Sequence, residues 1–126
     1  MAKKKNRWWI VAIPVVLLIV IGVLLLRFRP GIQVTIQNNG STTLRSVELH
    51  VTGASYQLGD IASGASATAR VQPTSESSLE IEFSDSDGEV QRLDADGYFE
   101  AGYRGTIHVS INDGAIETNE QNIKLW

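Results

Sequence analysis

The chain has 126 residues, no cysteine and a formal net charge of −3. Lacking thiols, it is excluded from disulfide scaffolds, thiol nucleophiles, iron–sulfur clusters and cysteine-ligated zinc. The net charge hides a split: residues 1–30 carry Lys3, Lys4, Lys5, Arg7, Arg27 and Arg29 with no acid (+6), while residues 31–126 carry fourteen acids against Arg45, Arg70, Arg92, Arg104 and Lys124 (−9). An acidic C-terminal part argues against nucleic acid and anionic lipid as its partners.

The first element is Trp8–Leu26, WWIVAIPVVLLIVIGVLLL, nineteen residues without a charge. A helix of that length spans roughly 28 Å, close to the hydrocarbon core of a bilayer. In lipid, a helix satisfies its backbone hydrogen bonds within the segment. The apolar run is longer than that of a cleaved signal peptide and ends in Arg27-Phe28-Arg29-Pro30, with no small-residue cleavage pattern. The expectation is an uncleaved signal anchor over 8–28, preceded by a basic tail, 1–7, and followed by a short linker, 29–31. Positive charge near a span stays cytoplasmic, so the N-terminus is expected inside and residues 32–126 outside, in the periplasm or at the cell surface. Trp8, Trp9, Arg27 and Arg29 are expected at the two membrane interfaces. Pro14 removes an N–H and should leave the carbonyl of Ile10 unpaired. No G-x-x-x-G spacing supports helix pairing.

Strand patterning begins at once. Residues 31–37 alternate, with Ile32, Val34 and Ile36 on one face. Asn38-Asn39-Gly40 reads as a hairpin turn, and Asn39-Gly40-Ser41 also fits an N-glycosylation acceptor. Residues 45–52 alternate again with Val47, Leu49 and Val51 inward, which puts His50 on the polar face. Residues 53–64 read as a connector containing Tyr56 and Leu58. Residues 66–72 make a weak strand of small inward side chains, Ala67 and Ala69, with Val71.

Residues 79–83 alternate most clearly, with Leu79, Ile81 and Phe83 in and Glu80 and Glu82 out. Asp87-Gly88 turns the chain into 89–93, which predicts a hairpin. A second turn, Asp94-Ala95-Asp96-Gly97, precedes Tyr98 and Phe99, which with Phe83 are the large core fillers. In 106–111, Ile107, Val109 and Ile111 point in and His108 out. Asn112-Asp113-Gly114 turns into 115–118.

Short strands, frequent turn signals and no helical periodicity after residue 30 predict an all-β domain: a small antiparallel β-sandwich of seven or eight strands, with a small barrel as the alternative. The rhythm of residues 31–72, a strand, Asn-Gly, a strand, then LGDIASG before another strand, resembles immunoglobulin-like bacterial surface modules. That resemblance implies an immunoglobulin-like sandwich; the bacterial origin is expected from the absence of cysteine, because a eukaryotic extracellular module of this size would often use disulfides. The antibody-type subclass is not implied, because the sequence has no cysteine pair and the only tryptophan of this part is Trp126.

Two features are candidate sites. Asp85, Asp87, Asp94 and Asp96 form two D-x-D-G units on turns, a spacing that suits an oxygen-ligated Ca²⁺, although neither matches the full EF-hand loop. Asp and Gly are also the preferred turn residues. The apolar end, Ile123, Leu125 and Trp126, is a candidate docking edge or the last strand of a sheet. His50, His108, Glu80 and Glu82 lie on polar strand faces, where solvated side chains are the rule. No G-x-S-x-G elbow and no phosphate-binding glycine loop occurs, so no enzyme is expected. Apart from Ca²⁺, no cofactor is expected. The expected function is binding, adhesion or scaffolding in a cell envelope, with the bilayer and another envelope or membrane protein as partners. The alternative is an accessory subunit of a larger membrane complex, because three residues cannot carry a domain far from a membrane.

Overall fold

A computed structural model describes residues 7–27 and 30–125; the side chain of Arg27 lies outside that set. The first element is a helix, α1, Trp9–Arg27. The amides of Ile10 and Ala12 bond back to the carbonyls of Arg7 and Trp8 at 3.0 Å. Residues Trp9–Leu26 are long and apolar enough to cross a membrane, and none of that stretch is buried by the rest of the described chain.

Eight strands follow: β1 Gly31–Asn38, β2 Leu44–Val51, β3 Ala54–Ile61, β4 Ser66–Val71, β5 Glu80–Ser84, β6 Val90–Asp94, β7 Arg104–Asn112 and β8 Ala115–Lys124. They form two four-stranded sheets in a sandwich-like arrangement, ordered β4-β1-β7-β8 and β3-β2-β5-β6. The first sheet contributes Ile32, Val34, Ile36, Val71, Ile107, Val109 and Ile111 to a common core; the second contributes Leu44, Val47, Leu49, Ile61, Ile81 and Phe83. Phe99, fully buried, enters from the β6–β7 connection, which is tied to Ser77 by two backbone bonds of 2.9 and 3.1 Å. Burying each such side chain contributes about 1.5–3 kcal/mol.

Several expectations are corrected. The sandwich is not wholly antiparallel: β1 pairs antiparallel with β4 but parallel with β7, Gly31 facing Arg104 and Asn38 facing Ile111. A parallel pair needs a crossover, and here the whole second sheet lies between β1 and β7 in sequence. The expected hairpin at Asn38–Gly40 is a passage between sheets, because β1 and β2 belong to different ones. Asn38 is 1% exposed and makes the joint. Its Nδ2 donates to the carbonyls of Thr42 (2.8 Å) and Ile61 (2.9 Å), and its Oδ1 accepts the Gly40 amide (3.0 Å).

Residues 53–64 are not merely a connector, for they contain β3. Its inward residues Tyr56 and Leu58 are followed by Ile61, a spacing of three that breaks the period-2 signal. The cause is a pair of matched irregularities. The β2–β3 register shifts between Leu44 and Val47, where Val47 faces Gly59. Ser46 and Gly59 both take positive φ, 50° and 77°. The Ser46 amide is held by Asp60 Oδ1 at 2.9 Å. Bulges of this kind bend a strand and reset its faces.

Tyr98 is 55% exposed, not a core filler. Strand β8 runs on from the expected 115–118 to Lys124, as an edge. Its polar inward residues clamp the turn after β6: Asn119 and Gln121 both donate to the carbonyl of Ala95.

Candidate functional site

The four aspartates proposed for Ca²⁺ sit on the β5–β6 hairpin, but not together. Glu80 faces Asp94 at one end and Ser84 faces Val90 at the other. Asp85 and Asp87 therefore lie at one end and Asp94 and Asp96 at the opposite one. Asp85 is occupied by its own turn: Oδ1 accepts the amides of Asp87 (2.9 Å) and Glu89 (3.0 Å), and Oδ2 accepts Gln91 Nε2 (2.9 Å). The Gln91 bond first, then the turn amides, hold its carboxyl below the usual 3.8. Asp94 Oδ1 likewise accepts the Asp96 amide at 2.8 Å. Beside this second turn the Tyr98 hydroxyl donates to Glu100, which pushes the phenol up to about 12.

Of the candidate docking edge, Ile123 is partly buried against the core opposite Gly105 of β7, and Leu125 is 55% exposed. Trp126 lies outside the described residues. Of the residues expected at membrane interfaces, Trp8 and Trp9 are 69% and 54% exposed. Arg27 ends α1, and Arg29 lies outside the described residues.

A different group converges on the solvent-side face of the second sheet. Alternation turns Glu48 and His50 of β2 and Glu80 and Glu82 of β5 away from the core. Register then sets Glu48 opposite Glu82 and His50 opposite Glu80. Strand β3 adds Gln57 beside Glu48 and Ser55 beside His50. Strand β6 adds Arg92 beside Glu82 and Asp94 beside Glu80. The face thus carries two rows, Gln57–Glu48–Glu82–Arg92 and Ser55–His50–Glu80–Asp94.

Within these rows the side chains pair diagonally. Arg92 Nε reaches Glu80 Oε2 at 2.6 Å rather than Glu82. His50 Nε2 points at Glu82 Oε2, 3.6 Å away. The other ring nitrogen, Nδ1, is 2.7 Å from Ser55 Oγ. His50 Nε2 is buried and has no hydrogen-bond partner. One ligand atom each from Glu48, His50 and Glu82 lie within 4.8 Å of one another, and all three residues are half-buried. Beside them a cleft of about 240 Å³ runs past His50, Glu80 and Arg92 to Ser77 and Ser78.

Alternation alone places these side chains on polar faces. What it cannot supply is that β2 and β5, separated by β3 and β4, are neighbours, and only that pairing brings Glu82 to Glu48 and His50. His108 stands apart, exposed on the other sheet opposite Glu120. A second cleft, of about 260 Å³, lies where the chain passes between sheets and is lined by Asn38, Gly40, Leu44, Phe83, Asp85 and Asp113 among others.

No family model, no curated protein and no solved structure matches the chain.

Proposed function

We propose that the chain is a single-pass membrane protein, N-terminus cytoplasmic, that holds a non-enzymatic β-sandwich on the extracytoplasmic face of a bacterial membrane. There it binds or scaffolds another envelope or membrane protein. The observation that carries this reading is the uncovered helix α1, in which Leu18 and Leu25 are 69% and 68% exposed. Leaving a run of such side chains in water is costly, at about 25 cal/mol per Å² of apolar surface. A bilayer removes that cost. The basic residues before α1 support the orientation. The absence of cysteine from a domain read as exported supports a bacterial host. The immunoglobulin-like reading of the sandwich is supported by its two four-stranded sheets closing on one core.

Membrane fractionation tests the anchor. The full chain should pellet with membranes and resist alkaline carbonate, and a chain lacking residues 1–29 should be released. Extraction of the full chain by carbonate would sink the reading.

One observation favours the accessory-subunit alternative. Only residues 28–30 join α1 to β1, and at ~3.5 Å per residue that link keeps β1 close to the bilayer surface. A stoichiometric membrane partner recovered in mild detergent would favour the subunit, and recovery of the chain alone would favour the independent module.

A further inference from the structure

We propose that Glu48, His50 and Glu82 form a binding site for one divalent cation of the zinc class. This proposal rests on the second sheet alone and does not depend on the membrane reading.

Donor chemistry selects the class. An imidazole nitrogen with two carboxylates suits Zn²⁺ and its transition-metal neighbours, whereas Ca²⁺ and Mg²⁺ prefer oxygen throughout. Geometry agrees. The His50 Nε2–Glu82 Oε2 separation of 3.6 Å is too long for a hydrogen bond. It is close to the ~3.3 Å edge of a tetrahedron whose ligands lie about 2.0–2.1 Å from the metal. The third donor, on Glu48, is within 4.8 Å of both.

The ring is prepared for ligation. His50 Nδ1 is 2.7 Å from Ser55 Oγ, and in the tautomer whose Nδ1–H donates to that hydroxyl the lone pair lies on Nε2. A bond from the second ring nitrogen is the usual support of a metal-bound histidine. Nε2 is itself buried and makes no hydrogen bond, so no other group competes for that nitrogen. Charge also agrees. Glu48 and Glu82 are direct cross-strand partners, and like charges in that position repel. The cation beside Glu82 in the row, Arg92, is bound to Glu80 instead. A divalent ion between the two glutamates removes the repulsion. His50 and Glu82 retain 21% and 30% side-chain exposure, so water can complete the coordination.

The test is titration of the untagged full-length protein, in neutral detergent after chelator treatment, with Zn²⁺ by calorimetry and Co²⁺ by visible absorption. Expected is one ion per chain with Kd below about 100 µM, a Co²⁺ spectrum of a low-symmetry site, and a Zn²⁺-dependent rise in Tm. His50→Ala and the near-isosteric Glu82→Gln should each weaken binding more than about tenfold, Ser55→Ala severalfold, and His108→Ala not at all. Far-UV circular dichroism without metal confirms that each variant is folded. The proposal is overturned by the absence of saturable binding, or by binding that Glu82→Gln and His50→Ala leave intact.

Discussion

Replacing Asn38 with alanine should open the joint between the two sheets. The side chain is 1% exposed and bonds to three backbone groups at once, the carbonyls of Thr42 and Ile61 and the amide of Gly40. Truncation leaves the Ile61 carbonyl and the Gly40 amide without this partner in a buried setting, at about 1–3 kcal/mol each, with a smaller loss at Thr42. Allowing for relaxation, the expected cost is about 2–4 kcal/mol. For a domain of this size, 1 kcal/mol moves Tm by about 4–8 °C, so a drop of about 8–32 °C follows. Asn38→Asp separates hydrogen bonding from volume. It keeps an acceptor for Gly40 but sets an anionic oxygen against two carbonyls, and should destabilise at neutral pH at least as much. Asn39→Ala is the control: Asn39 is exposed, its Nδ2 donates to Glu117 Oε2, and its loss should cost about 0.5 kcal/mol or less. The assay is thermal unfolding of the full chain in detergent, followed by circular dichroism in the β band. A fall of under about 2 °C for Asn38→Ala would refute the assignment of this residue as the joint.

Other outcomes follow from the same structure. Phe99→Ala should cost about 3–5 kcal/mol, read by urea unfolding, because it empties a fully buried site between the layers; a cost below about 1 kcal/mol would mean that the β6–β7 connection is not part of the core. Gly105→Ala should also destabilise strongly, by about 2–4 kcal/mol, since its φ is +138° and a Cβ would lie 2.0 Å from the Asn122 carbonyl oxygen. A normal melt for that variant would disprove the close β7–β8 approach. Asp85 gives a pH dependence. Its folded-state pKa lies below 3.8, so its stabilising effect is complete above that value and is lost as pH falls through the lower folded one. Unfolding midpoints of wild type and Asp85→Asn should therefore converge in acid, and parallel curves below pH ~4 would contradict the turn assignment.

Most of the core could be read from alternation. Ile32, Val34, Ile36, Val47, Leu49, Ile81, Phe83, Ile107, Val109 and Ile111 point inward as the period-2 pattern requires, because each lies on a strand with one buried face. The pattern failed where the backbone breaks period. In β3 the bulge at Gly59 makes the inward spacing three. In β8 the inward Asn119 and Gln121 are polar because they serve the Ala95 carbonyl. Asn38 carries a turn signature, but turn chemistry does not say whether the chain returns to the same sheet. The Glu48–His50–Glu82 group was hidden for a further reason. Each member looks like an ordinary solvated strand residue, and only the β2–β5 register brings them together. The four aspartates show the converse: their proximity in sequence spans the length of a hairpin.

The central claim is that residues 31–126 face the outside of a membrane through α1. The chain has no native cysteine, so single cysteines report topology without background. Val90, 66% exposed at the start of β6, and Asn6, before the apolar run, are the positions to use. In intact bacterial cells a membrane-impermeant maleimide should label Val90→Cys and should reach Asn6→Cys only after permeabilisation. Labelling of Asn6→Cys with protection of Val90→Cys, or protection of both until permeabilisation, would contradict the account.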